Sequence, residues 1–526
     1  MSYFGSSNLS SYAAFVQTGR ISLNFQLYIF RQSEFYWAGS PVPNLCRVPF
    51  VERDFKTNKM KQKTFPILFF LLNFYNLFAQ NDLKEIDIFL EEQRQAWHIP
   101  NISVGITNKD SILYIKEFGE DNSKGNYLIG SVSKPFTAIA TMQLVEQGKI
   151  NLDDLVKKHL IWFETNNRNI SDKITIRHLL NQTSGLPKNA GFFTPQSQNQ
   201  LEIESAYKNY LLSLNANEVA VGKHHIYCNL NYQLLGQIIQ KISRLKYSDY
   251  LNKYVLGPCN MKNTFATYQE TQNFGLKNGY QYFFGYPIKR SFEYNDNGIA
   301  AGDIASNTKD LAKFLQVLLK NGQIENDSLL AKNTLKQMQT PFSTRYGMGF
   351  SIGDWNGLHS IRHSGLSRNY SSAINILPNQ NYGIVILTNI NSFYAVRNLM
   401  DGVIIRLNKQ EKVSYVPYEI YFRYVILGLF LWGFIKFLLR LNEWRILKFN
   451  FKYSKNKKDI FRLFVNILVA LSWLLIIPYF TELPLQSMCK LQPDLGYVLF
   501  IGVITGTLSS FVQFFIKSNT NQENHA

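Results

Sequence analysis

The sequence predicts an α+β fold: an antiparallel sheet flanked by terminal helices, an all-helical subdomain inserted between its strands, and then three transmembrane helices. Two observations predict it. Strand-like alternation occurs near residues 102–115 and again at 358–389, with helical periodicity between them. Beyond Pro417 come three overwhelmingly apolar segments, 420–439, 463–480 and 495–516, each long enough to cross the hydrocarbon core of a bilayer.

Residues 1–59 show no sustained period, and they are expected to be an unstructured extension upstream of a true start at Met60. Met60-Lys61-Gln62-Lys63 is a basic lead into an apolar run ending at Ala79-Gln80. This has the form of a secretory signal over 60–80, with a cytoplasmic segment and signal anchor as the alternative. N-terminal sequencing separates the two: a mature protein starting near Gln80 fits the signal, one starting near Ser2 the anchor. A globular domain is expected over 81–412. It opens with an amphipathic helix at 83–97 that stops before Pro100. The alternating Ile102, Val104 and Ile106 follow, then a turn at Asn108-Lys109-Asp110 and a return strand at 112–115. Helices are expected at 132–147, 174–182, 230–242, 246–254 and 308–320. Strands are expected from 358 to 389, including a short one at 358–362, and a closing helix at 392–407.

The membrane domain, 413–526, carries its own orientation signal. The loop after the first span holds Arg440, Arg445, Lys448, Lys452, Lys455, Lys457, Lys458 and Arg462, against Lys490 alone after the second. The positive-inside rule places that first loop in the cytoplasm and the globular domain on the extracytoplasmic, periplasmic side of the cell membrane. Arg423 and Lys436 are expected to snorkel from the first span. Gly502, Gly506 and Ser510 form a small-residue stripe that favours close helix packing on the third.

The formal charge of +18 does not indicate nucleic-acid binding, because much of it lies in the first sixty residues and in the one inter-span loop. Four cysteines, Cys46, Cys228, Cys259 and Cys489, show no metal-ligand spacing. A single Cys228 to Cys259 bridge is possible in an oxidising compartment, but nothing demands it. No metal or cofactor is called for.

The chemistry concentrates in three short stretches. Ser131 and Lys134 lie three apart at a helix start, so that a hydroxyl and an amine share one face. A lysine whose pKa is depressed can take a serine's proton, and the helix amides favour the charge that develops during attack. Tyr227-Cys228-Asn229 presents a phenol and an amide at the start of another helix, and His363-Ser364-Gly365 follows a strand.

In this order and at these separations, the three stretches resemble the motifs of the serine β-lactamase and penicillin-binding superfamily. The likeness is to the class C β-lactamase, DD-peptidase and esterase branch, over roughly residues 82–408. Thr183-Ser184-Gly185-Leu186-Pro187, Ala301-Gly302-Asp303 and Tyr346-Gly347-Met348-Gly349-Phe350 agree with it. The resemblance implies Ser131 as nucleophile, with Lys134 and Tyr227 sharing its proton and either one as the base. It implies Asn229, His363, Ser364 and Gly365 as substrate-binding residues, and the backbone amides of Ser131 and Leu366 as an oxyanion hole. Many lactamases have lysine at the position of His363, where a cation seats the substrate's carboxylate. A neutral histidine does this poorly, and strand alternation turns Arg362 to the other face. Carboxylate-bearing β-lactams are therefore expected to be poor substrates. A second departure is Gln182, where relatives commonly carry histidine. The expected function is a membrane-anchored serine hydrolase acting on a small-molecule or peptide amide or ester. The alternative is a penicillin-binding or peptide-sensing membrane protein with little turnover. A transporter is disfavoured because the apolar segments hold no acidic residue that could relay ions. The residues carry no reading of oligomeric state.

Overall fold

Six strands make one antiparallel sheet: β1 (Asn101–Thr107), β2 (Ile112–Gly119), β3 (Ser351–Trp355), β4 (Leu358–Leu366), β5 (Ser371–Leu377) and β6 (Tyr382–Thr388), in the order β2-β1-β6-β5-β4-β3. The computed structural model describes residues 83–523, apart from 120–122, 215, 217–220, 292–294, 326, 343–344, 447–455 and 482–484. The expected extension and signal segment lie outside the described residues.

The two ends of the globular domain meet in the middle of the sheet, where Val104 of β1 pairs with Ile386 of β6. Alternation along β6 then sorts the core. Ile384 and Ile386 pack with helix α1 (residues 83–96) and α5 (Phe393–Leu407) on one face, while Val385 and Leu387 pack into the second core on the other. That second core contains buried residues of α2 (Lys134–Glu146), α3 (Asn229–Ser243) and α4 (Thr308–Leu319). Each fully buried Leu, Ile or Phe side chain contributes about 1.5–3 kcal/mol, so the segments carrying the three sequence motifs rest on an extensive apolar base.

Two local differences from the sequence reading bear on function. The helix expected from residue 132 starts instead as a 3-10 turn, Gly130–Ser133, and becomes α-helical at Lys134, with Pro135 in the first turn where its missing N–H costs nothing. The strand expected at 358–362 runs on to Leu366, because His363, Ser364 and Gly365 pair with Ile374, Ala373 and Ser372 of β5. The third motif is thus part of the sheet. A helix at Gln200–Ser213 and a hairpin of Tyr280–Phe283 with Tyr286–Lys289 had no clear period in the sequence. Cys228 and Cys259 are free and buried, so the one bridge the sequence left room for is not formed.

Beyond the globular domain, α6 (Tyr418–Ile446), α7 (Lys457–Thr481) and α8 (Pro493–Glu523) include three segments long and apolar enough to cross a membrane. Gly506 of the small-residue stripe faces Ala470 of α7, whereas Gly502 lines an open groove between the helices. Arg423 does not snorkel. Its side chain is 1% exposed and pairs with Asp494, which is fully buried at the start of α8, and with Glu419 one turn back. The guanidinium finds two carboxylates at the face of the globular domain, which sequence distance concealed.

Candidate active site

The site is built where the Gly130–Ser133 turn meets the end of β4. Gly130 has φ of +49°, and a Cβ there would lie 2.7 Å from the backbone nitrogen of Leu366. Gly365 has its own constraint: a Cβ would fall 2.0 Å from the carbonyl oxygen of Ile129. Absence of side chains at both positions lets the serine turn and the strand touch through their backbones. Ser372 of β5 locks the contact by donating to the Ile129 carbonyl at 2.7 Å, and Ser133 donates to the Gly130 carbonyl at 2.7 Å.

Lys134 is fully buried, and its Nζ lies 3.0 Å from Ser131 Oγ, 2.7 Å from Asn229 Oδ1 and 2.6 Å from the Ala301 carbonyl. Burial pulls its pKa down to about 7, against smaller upward pulls from Cys228 and Asp303. In the neutral form, two N–H bonds satisfy Asn229 and Ala301, and the lone pair is left for the Ser131 hydroxyl proton. The ammonium also sits 4.9 Å from the centre of the Tyr227 ring, and the Tyr227 phenol shares a hydrogen bond with Ser131. Burial raises the Tyr227 pKa, and that hydrogen bond lowers it only in part.

His363 is 5% exposed, and its Nδ1–H donates to the Ser364 carbonyl at 2.8 Å. Nε2 is left to accept from the Tyr346 hydroxyl at 3.3 Å. Burial first, and the Lys134 charge second, press its pKa down to about 3 against the pull of the Ser364 carbonyl, so the ring is neutral at ordinary pH. A cavity of about 460 Å³ opens over these groups, lined by Ser131, Tyr227, Tyr346, His363, Ser364 and Leu366. The structure therefore brings Ser131, Lys134, Tyr227, Asn229, His363, Ser364, Gly365 and Leu366 to one place. Among the described residues, no group of three or more His, Cys, Asp or Glu side chains is arranged to hold a metal ion.

Three features escaped the sequence reading. Arg362 does lean to the other face of β4, stacking 4.2 Å from the Trp355 ring, yet it lines the same cavity together with Arg397 of α5. The cause is the short partner strand: β3 pairs with β4 only as far as Arg362, so the cavity wraps around the open edge beyond it. Gln182 acquires a role. Its Oε1 accepts from the Cys228 backbone N–H at 3.0 Å and from Asn231 Nδ2 at 2.6 Å, which fixes the segment bearing Tyr227 and Asn229. Asp303, a buried carboxyl whose pKa is raised by burial, lies within electrostatic reach of Lys134 and Arg368. An acidic residue one position after Ala301-Gly302 was visible in the sequence, but its partners were not.

Comparison with known proteins gives this geometry a context. The family model described as Beta-lactamase matches residues 87–407. Protein flp of Staphylococcus aureus (strain MW2) is 32% identical over 335 residues, covering 59% of this chain and 64% of the relative. Beta-lactamase-like protein 4 of Dictyostelium discoideum is 25% identical over 373 residues, 63% of this chain and 64% of the relative. The chain thus spans somewhat under two thirds of the length of these curated relatives. Among solved structures, the octameric penicillin-binding protein homologue from Pyrococcus abyssi superposes with a TM-score of 0.55 at 27% identity, covering 65% of this chain and 80% of that one.

Proposed function

This chain belongs to the beta-lactamase family, and from that premise we propose that it is a membrane-anchored serine hydrolase that cleaves an amide or ester through an acyl-enzyme on Ser131. One observation carries the reading: a fully buried Lys134, its pKa near 7, bridges the Ser131 hydroxyl and the Asn229 amide. A lysine kept only for structure would sit more cheaply in water or beside a carboxylate.

In the proposed reaction, Ser131 Oγ attacks the substrate carbonyl carbon while its proton passes to the neutral Lys134 Nζ, directly or relayed through the Tyr227 hydroxyl. The oxyanion is met by the backbone N–H groups of Ser131 and Leu366. Collapse breaks the bond to the amine or alcohol, which leaves with the proton held by the lysine–tyrosine pair. Water then attacks the acyl-enzyme, gives up a proton to the same pair, and releases the acid and free Ser131. The neutral His363 supports a place in the DD-peptidase and esterase branch rather than among efficient β-lactamases. An anionic group on the substrate would be drawn to the Arg362 and Arg397 flank instead. We place the catalytic domain on the extracytoplasmic side of the membrane, on the strength of the basic loop between the first two spans.

The test is covalent labelling of the membrane-embedded protein by a fluorescent alkyl fluorophosphonate. Wild type is expected to label and Ser131→Ala to lose at least about a thousandfold in labelling rate; equal labelling of the two would overturn the assignment.

A further inference from the structure

We propose that Gln492, at the junction of the membrane helices, is a positioning residue for the backbone amide of Leu366, so that the membrane domain completes the oxyanion hole. The inference rests on the acyl-enzyme reading above. Leu366 is the last residue of the strand, and residues 367–370 turn the chain into β5, closed by Ser367 N–H donating to the Tyr370 carbonyl at 3.0 Å. Two successive carbonyls of this turn are held from outside it. The Ser367 carbonyl accepts from Asn391 Nδ2, and Asn391 Oδ1 accepts in turn from Gln492 Nε2 at 3.2 Å. The Arg368 carbonyl accepts at 2.9 Å from Gln281 Nε2, which also donates to the Lys490 carbonyl at 2.8 Å. Both tethers therefore end on residues 490–492, between the second and third apolar segments.

The junction is itself rigidly fixed. Arg423 Nη2 donates to Gln492 Oε1 and, at 2.8 Å, to Glu419, while Nη1 binds the Asp494 carboxylate. Asp494 also accepts from the Phe284 backbone N–H at 2.9 Å, and Glu419 accepts from Ser392 at 2.6 Å. Burying such an ion pair costs desolvation that the attraction between its members has to offset. What the pair fixes here is the amide of Gln492, whose two ends face Arg423 and Asn391. Leu366 is thereby confined from two sides, by the serine turn at Gly130 and by the anchored Ser367 carbonyl. An oxyanion donor must stay within a few tenths of an ångström of its place, and misplacement by about 1 Å can cost a hundredfold in rate.

Gln492→Glu isolates the tether, since the carboxylate keeps an acceptor for Arg423 but replaces the donor to Asn391 with a second acceptor. The full chain in lipid nanodiscs is compared with this variant, with Asn391→Ala and with the double variant. The readouts are kcat and KM on a p-nitrophenyl ester, and amide hydrogen exchange of residues 364–370 against that of α2. Expected is an about tenfold fall in kcat with KM within about twofold, faster exchange at 364–370 with α2 unchanged, and a double variant no worse than its worse single. Unchanged exchange at 364–370, a fall confined to KM, or faster exchange with kcat intact would each overturn the proposal. If the wild type turns over no ester, the hydrolase reading fails separately, and the exchange comparison alone decides the tether.

Discussion

In the proposed reaction, the protonation state of Lys134 sets the dependence on pH. Below about 7 the ammonium engages all three of its acceptors and has no lone pair for Ser131; above it, the base form accumulates. Phosphonylation of Ser131 by the fluorophosphonate, with loss of fluoride, is therefore expected to rise about tenfold per unit from pH 5 to 7 and to level off by about pH 8. A profile flat over that range would exclude Lys134 as the titrating base. His363 adds no limb near pH 6.5, because its ring stays neutral down to about 3. Replacing it tests the substrate argument. His363→Lys introduces a cation beside Lys134, which should raise kcat/KM for a carboxylate-bearing cephalosporin about tenfold and move the acylation limb to lower pH. No gain in cephalosporin turnover with the limb displaced would mean that the carboxylate is seated elsewhere, Arg362 and Arg397 being the cations at hand. At this scale the sequence was readable wherever short spacing does the work. Ser131 and Lys134 are one turn apart, and Tyr227 and Asn229 flank a helix start. Gln182 and Asp303 were opaque because their meaning lies in contacts with remote segments.

Gln182 shows how an element's end can be aimed by one side chain. It has φ of +60°, and its carbonyl oxygen accepts from Ile226 N–H at 2.8 Å while its side chain holds Cys228 and Asn231. Gln182→Leu leaves two buried donors unpaired, a loss of about 1–3 kcal/mol each. The variant is expected to unfold at lower temperature and to acylate more slowly. Gln182→Glu, which keeps an acceptor, should recover most of the labelling rate. Recovery of stability without recovery of rate would show that Gln182 does not aim Tyr227. The sheet and the flanking helices were legible from periodicity, since Ile102, Val104 and Ile106 alternate and 308–320 carries a helical stripe. The length of β4 was not, because Ser364 and Gly365 have little strand preference of their own and are held in the ladder by β5.

In the described residues, a hydrolase-like domain meets the apolar helices through a buried polar contact, Arg423 with Asp494 and Glu419, set beside apolar packing of Ile420 and Tyr424. Length and composition were enough to find three helices long and apolar enough to cross a membrane. They could not show that Arg423 would leave the lipid-facing surface for Asp494, a residue 71 positions away. That contact predicts a particular pattern of stability. Removing one partner strands the other charge in a dry site: Arg423→Met or Asp494→Leu alone should each cost about 3–5 kcal/mol. The double variant strands neither member of the pair and should regain part of that loss, while Glu419 loses Arg423 and keeps only its bond from Ser392. Thermal unfolding of the four proteins in one detergent measures the cycle, and additive losses would show that the pair is not coupled. Stability and catalysis should then separate. With Arg423 gone, the Gln492 Oε1 loses its fixed donor even where stability is partly regained. The double variant is therefore expected to melt above either single variant while its esterase kcat stays about tenfold low, with KM little changed. Recovery of kcat along with the melting temperature would make the ion pair a fastening between domains and nothing more.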